Sequence, residues 1–188
     1  LHMEESVVSN GKEKLVTDLK IIEDMAAEMG DYLASPQLFW PKIDHKLVQP
    51  TIGGFWVRQH RLQLLEGTLL DAAQRQRLAR TTQLFDEACA KQSQHFEQKT
   101  GRELGARVRQ WRGDLDELLA DDPPSMAYFR SDVEVRAIIA VILDQLPSIP
   151  IEPEESMLKE VDRLDRQLEK RWTPGGFIWP AEWEPAYP

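Results

Sequence analysis

Apolar residues recur along this chain at intervals of three and four positions. In residues 12–34 the intervals run 4, 3, 4, 3 and 4, which places six apolar side chains on one face of a helix. These six residues are Leu15, Leu19, Ile22, Ala26, Met29 and Leu33. Similar spacing returns in residues 104–118 and 157–168, and residues 126–146 form the most apolar segment. The pattern therefore predicts a helix in each of these four segments.

The central segment, residues 51–99, contains few helix-breaking residues and is also predicted to be helical. Its apolar stripe loses register after Leu69, and a second stripe follows at a different phase. We interpret this change as two helices that are broken near Asp71, with one long kinked helix as the alternative. We expect Thr100 and Gly101 to end the second helix.

These helices predict an all-α fold. No segment alternates apolar and polar residues with the Val, Ile and Thr enrichment of a strand, so no sheet is expected. Helices with matching apolar faces bury them against one another, which predicts a single helical-bundle domain of roughly five to seven helices over residues 12–172. Residues 1–11 are expected to be disordered, and His2-Met3 resembles a cloning remnant. Stripes this regular also favour self-association, so we expect a homodimer or another homo-oligomer.

The C-terminal tail has the most unusual composition in the chain. Residues 172–188 hold five of the 15 aromatic residues and four of the 12 prolines. Prolines keep a segment extended, and large aromatic rings supply much apolar contact area from few positions. We therefore expect residues 173–188 to form an extended tail that packs on its own bundle or on a partner protein. Its candidate anchors are Trp172, Phe177, Trp179, Trp183 and Tyr187.

Charge and composition limit the classes of partner. The chain has 23 basic and 32 acidic residues, a net charge of -9, and residues 113–188 alone hold 7 basic and 17 acidic groups. Such a surface repels phosphate, so no nucleic-acid binding is expected. No apolar run approaches the roughly 20 residues that span a bilayer, and no secretory signal is evident, so we expect a cytoplasmic protein without a membrane partner. The single cysteine, Cys89, excludes an internal disulfide and a cysteine metal site.

The segment Thr51-Ile-Gly-Gly-Phe at the start of the central helix has two interpretations. Thr51 is a suitable N-cap residue, and two adjacent glycines permit a tight turn. Alternatively, Thr51, Gly53 and Gly54 cradle an anion at the helix N-terminus, with Arg58 behind them. We favour the cap because the segment lacks the glycine spacing and the lysine of a phosphate-binding loop.

Acidic residues on the first predicted helix are the candidates for metal chemistry. Glu28 and Asp31 lie one turn apart, and with Glu23 and Asp24 they would present several carboxylate oxygens to Mg²⁺. Their Glu-x-x-Asp spacing resembles half of the paired acidic motif of all-α nucleotide pyrophosphohydrolases, but we find no second half. A solvated acidic face is the favoured interpretation. A Mg²⁺-dependent hydrolase of a phosphorylated small molecule is the alternative function.

The sequence thus favours a non-catalytic interaction, scaffold or regulatory module that self-associates and needs no cofactor. A further alternative is a sensor that binds a small ligand in an apolar pocket between helices. Trp40, Trp56 and Trp111 are the candidate walls of such a pocket, although each is also typical of an aromatic core.

Overall fold

A computed structural model describes residues 4–39, 51–120, 126–170, 177 and 179–186. Over these ranges the fold is all-α, as predicted, with six α-helices, two short 3-10 helices and no strand. The α-helices are α1 (Glu4–Ala34), α2 (Ile52–Leu69), α3 (Ala72–Lys91), α4 (Ser93–Leu118), α5 (Met126–Gln145) and α6 (Glu155–Glu169). The 3-10 helices are Leu146–Ser148 and Ala181–Ala186. None of the described helices combines the length and the low charge that a bilayer-spanning segment requires.

The described residues form two compact units. The first lies within residues 1–96 and 177–188, and contains α1, α2, α3 and the C-terminal 3-10 helix. The second lies within residues 97–176, and contains most of α4 together with α5 and α6. The domain boundaries predicted from the sequence stay predictions.

In the first unit, α1 is the central helix and packs against both α2 and α3. All six residues of its predicted stripe are buried, with exposures from 0% to 6%. Full burial of one aliphatic side chain contributes about 1.5–3 kcal/mol. The stripe that the spacing predicts is therefore the surface that holds this unit together.

The predicted break near Asp71 is confirmed. Asp71 is the N-cap of α3, and its carboxylate accepts a hydrogen bond from the backbone N–H of Gln74 at 2.8 Å. In return, the Gln74 side-chain oxygen accepts from the backbone N–H of Asp71 at 2.9 Å. This capping box starts a new helix directly after α2. Farther from the turn, the Gln59 side chain of α2 donates to Thr82 of α3 at 3.0 Å.

The predicted helix end at Thr100 and Gly101 is wrong, because α4 continues through both residues. The interruption lies instead at Gln92, whose backbone N–H donates to the carbonyl of Ala88 and whose side chain donates to Gly30 at 2.8 Å. Thr100 is fully buried. Gly101 inside the helix costs only about 1 kcal/mol relative to alanine. Burial of side chains beside it, such as that of Thr100, offsets this cost.

The second unit has its own apolar core. Its buried residues include Leu104, Val108, Trp111 and Leu115 of α4, Val135, Ile138, Ile139 and Ile142 of α5, and Val161 and Leu164 of α6. Ion pairs link the helices around this core. Arg112 of α4 pairs with Glu160 of α6 at 2.7 Å, and Arg136 of α5 makes two hydrogen bonds to Asp165 of α6 at 2.7 and 2.8 Å.

Candidate functional site

The C-terminal segment docks on α1 and α2 of its own chain. Trp183, in the 3-10 helix, is only 2% exposed, and its indole N–H donates to the carbonyl oxygen of Gly11 at 3.3 Å. The guanidinium of Arg61 lies over the indole ring, 5.3 Å from its centroid. Such a cation–π contact strengthens when it is shielded from water. One aromatic side chain therefore contacts both helices and fixes the segment.

Gly11 permits the close approach of this segment to α1. A Cβ atom at position 11 would lie 2.6 Å from a carboxylate oxygen of Glu182 and 3.1 Å from Cβ of Pro180. Both distances are shorter than ordinary van der Waals contacts. The Glu182 carboxylate is the movable end of a side chain, so the firmer limit is Pro180, which would have to shift by a few tenths of an ångström. The docking groove, the surface of α1 and α2 around Gly11 and Arg61, therefore fits the tail closely at this glycine.

A buried charge cluster lies in α1 and α2 beside Trp183. Arg58 Nε and Arg61 Nε of α2 both lie 3.3 Å from carboxylate oxygens of Asp18 on α1. The three residues are between 5% and 8% exposed, and Arg58 also donates to the carbonyl of Gly54 at 2.8 Å. Charges so far from water are tolerated only when paired. The cluster therefore ties α1 to α2 where the tail docks.

The other predicted tail anchors have different environments. Phe177 and Trp179 are half-buried and pack edge to face, with ring centroids 5.6 Å apart. Trp172 and Tyr187 lie outside the described residues. Among the candidates that the structure describes, Trp183 alone is a fully buried contact.

The predicted anion-binding segment forms a buried helix start. Thr51 Oγ1 accepts a hydrogen bond from the N–H of Gly54 at 2.9 Å, which confirms the cap interpretation. Every residue from Thr51 to Arg58, including Gly53, is buried. Arg58 is directed to Asp18 and Gly54. These groups serve the packing of α2 against α1.

The four candidate Mg²⁺ ligands are spread along α1. The carboxylate of Glu23 binds Arg77 of α3 through two hydrogen bonds of 2.7 Å. Asp24 is half-buried, whereas Glu28 and Asp31 are exposed. Within the described part of the chain, no three His, Cys, Asp or Glu side chains gather as a metal site. The structure therefore does not bring these four together with a second acidic helix.

Two of the three candidate pocket walls of a ligand sensor belong to the packed interior. Trp56 is 7% exposed and packs edge-on against Phe85 and Phe96, with centroids 6.3 and 5.8 Å away. Trp111 is fully buried, and Trp40 lies outside the described residues.

Burial, with a smaller contribution from Asp86, raises the pKa of the Cys89 thiol to about 12. This thiol is therefore protonated and unreactive at neutral pH.

Sequence analysis missed Asp18 and Arg61 as site residues, although a signal for both was present. Asp18 lies three positions after Leu15 and is therefore on the apolar face of α1. Arg61 lies four positions from both Val57 and Leu65 on α2 and therefore shares their buried side. Charged residues on two apolar faces are rarely buried unless they pair with each other. That combination predicts an ion pair between the two helices.

Comparison of the chain with family models, curated proteins and solved structures finds no match. The docked tail is the most distinctive feature of the described residues.

Proposed function

We propose that this protein is a non-catalytic, self-associating interaction module whose C-terminal segment exchanges between copies. The observation that carries the proposal is the docking of that segment through one buried side chain, Trp183, in a groove on α1 and α2. Every copy of the chain has the same groove and the same segment. The contacts made within one chain are thus equally available between two chains.

The groove is suited to exchange because much of its structure does not depend on the tail. Asp18 pairs with Arg58 and Arg61 across α1 and α2, and these ion pairs join two helices that also pack directly against each other. The stripe of α1 is likewise buried against α2 and α3. Departure of the tail removes the Trp183 contacts but leaves these in place. We therefore expect docking to be separable from folding of the helices.

Concentration decides which form is populated. A tethered segment competes for its own groove at an effective concentration of roughly 1 mM. The unmodified chain is thus expected to exchange tails only as its concentration approaches this value. Variants that prevent docking within one chain should exchange at much lower concentration.

A pair of complementary variants tests the proposal. Trp183→Ala removes the tail anchor but keeps the groove, whereas Gly11→Leu fills the groove next to Glu182 and Pro180 but keeps the anchor. Neither variant completes docking by itself. When they are mixed, the tail of the Gly11→Leu chain fits the groove of the Trp183→Ala chain. We expect a 1:1 heterodimer in light scattering after size-exclusion chromatography and in native mass spectrometry.

The matched control mixes Trp183→Ala with the double variant Gly11→Leu/Trp183→Ala, a pair that contains an intact groove but no intact tail. This mixture should show no heterodimer. A Gly11→Leu and Trp183→Ala mixture that remains monomeric up to about 1 mM would contradict tail exchange. Circular dichroism of each variant verifies that its helices are folded.

A further inference from the structure

The second unit carries an apolar groove that the proposed tail exchange does not use. Its volume is about 390 Å³, within the range of pockets that bind small molecules or side chains. It lies between the end of α5, the connecting residues 149–154 and the start of α6. The apolar side chains that line it are Leu143, Leu146, Pro147, Ile151, Pro153 and Leu158.

The prolines of this region explain why the groove has a defined shape. Three prolines keep the segment between α5 and α6 from forming a continuous helix, because proline lacks the N–H that a helix requires. They are Pro147, Pro150 and Pro153. Backbone hydrogen bonds hold the intervening turns, including Ile149 N–H to Leu146 at 2.9 Å. Leu158 is 36% exposed although it belongs to a folded helix. The prolines and these hydrogen bonds restrict the backbone around the groove, so little conformational entropy would be lost when a ligand binds there.

Acidic groups border the groove: Glu152 lines it, and the other acidic residues of this segment, here called its rim with Glu152, lie within two positions of a lining residue. Residues 143–158 contain four acidic groups and no basic group. The four are Asp144, Glu152, Glu154 and Glu155, and all are exposed. Lys159 pairs with Glu155 at 2.7 Å, and Arg102 of α4 lines an adjacent depression together with Glu152, so the rim keeps an excess of negative charge over these two cations.

This charge selects among the possible occupants. Nucleic acids and anionic membranes present phosphate, which an acidic rim repels. The C-terminal segment of the chain itself is also unsuitable, because Glu182 and Glu184 flank Trp183. The complementary occupant has apolar side chains for the floor and positive charges for the rim.

We propose that this groove binds a short segment of a partner protein in which apolar side chains are flanked by lysine or arginine. Leu143, Leu146 and Leu158 would bury the apolar side chains of the segment. Glu152 lines the groove, and Glu154 follows two positions later; their carboxylates would pair with the positive flanks of the segment. Affinity comes from the apolar contact, and selection among partners comes from the rim.

Synthetic peptides test this proposal with the full chain. The probe is a fluorescein-labelled amphipathic peptide of leucine and lysine, about twelve residues long so that it spans three helical turns. The matched control peptide has glutamate at every lysine position. We expect the lysine peptide to bind with an affinity that falls as salt is added, and the glutamate peptide not to bind in the same anisotropy assay.

Paired variants locate the binding surface. Leu158→Glu and Glu152→Lys should each weaken binding of the lysine peptide about tenfold, because they alter the floor and the rim. The controls are Leu84→Glu and Glu87→Lys on α3, at exposed positions of the first unit. These controls should leave the affinity unchanged. Glu152 is exposed, so its variant keeps the test valid if Leu158→Glu perturbs folding.

Three outcomes would overturn the proposal. They are equal binding of the lysine and glutamate peptides, undiminished binding by Glu152→Lys, and an equal loss of affinity in the α3 controls. Trp183→Ala is expected to bind the lysine peptide normally. The groove and the tail exchange are therefore tested separately, and failure of one leaves the other unaffected.

Discussion

Replacement of Trp183 by alanine measures how strongly the tail is held. The side chain is 2% exposed, and the substitution removes its apolar burial, its contact with Arg61 and its hydrogen bond to Gly11. Truncation of a buried tryptophan to alanine costs about 3–5 kcal/mol. The hydrogen bond contributes about 1 kcal/mol of this and the cation–π contact a similar amount. We expect the docking free energy to fall by about 3–5 kcal/mol.

On the proposal that the chain releases its tail while its helices remain folded, the loss of global stability should not exceed the free energy of docking. Far-UV circular dichroism should therefore retain its helical signal. Amide hydrogen exchange should accelerate in residues 179–186 and around Gly11, while the core of α1 near Ile22 stays protected. Urea unfolding of wild type and variant gives the global difference.

Trp183→Phe is the matched control for this experiment. Phenylalanine keeps an aromatic face for Arg61 but lacks the N–H donor to Gly11, so its cost should be about 1 kcal/mol. Suppose that the free energy of unfolding of Trp183→Ala lies within about 0.5 kcal/mol of the wild-type value, and that amide hydrogen exchange in residues 179–186 is unchanged. The tail would then not be anchored by this side chain, and the reasoning would be refuted.

Three further predictions concern the buried charge cluster, the thiol and an exposed ion pair. Asp18→Asn should lower the free energy of unfolding by about 3 kcal/mol in urea titrations, because it removes the negative charge that pairs with two buried arginines of α2. The raised pKa of Cys89 predicts that its thiol reacts with Ellman's reagent only when the chain opens, so its rate should rise steeply near the urea midpoint. Hydrogen bonds from Arg163, and then from Arg112, lower the pKa of Glu160 from 4.5 to about 2. Because the folded-state pKa is the lower one, the stabilisation is present above pH 4.5 and is lost as the pH falls through about 2; Glu160→Gln should therefore cost about 1 kcal/mol at pH 7 and much less at pH 2.

Each of these predictions has a control that isolates its cause. Asp24→Asn changes a half-buried carboxylate on the same helix and should cost less than about 1 kcal/mol. Cys89→Ala should abolish the thiol signal at every urea concentration. Glu169→Gln, at an exposed position of α6, should show no comparable difference between pH 7 and pH 2. A similar cost for Asp18→Asn and Asp24→Asn would contradict the assigned role of the cluster.

Local features of the sequence determined the helices and their buried faces. The stripe of α1 follows from spacing alone, since residues three or four positions apart share one face of a helix. The start of α3 at Asp71 follows from a capping box that involves only four consecutive residues. Thr51 likewise caps α2 through the nearby Gly54. These interactions are encoded within a few positions, so the printed sequence is enough to predict them.

Tertiary structure decided which of these faces meet. Trp183 bonds to a carbonyl 172 positions away, and Asp18 pairs with arginines on another helix. Tertiary burial also carried α4 through Thr100 and Gly101, against the local preference for a break there. Spacing specifies the side of a helix that leaves water, but the partner of that side depends on packing free energies among distant segments. The choice of the α1–α2 groove for the tail is therefore a property of the folded chain.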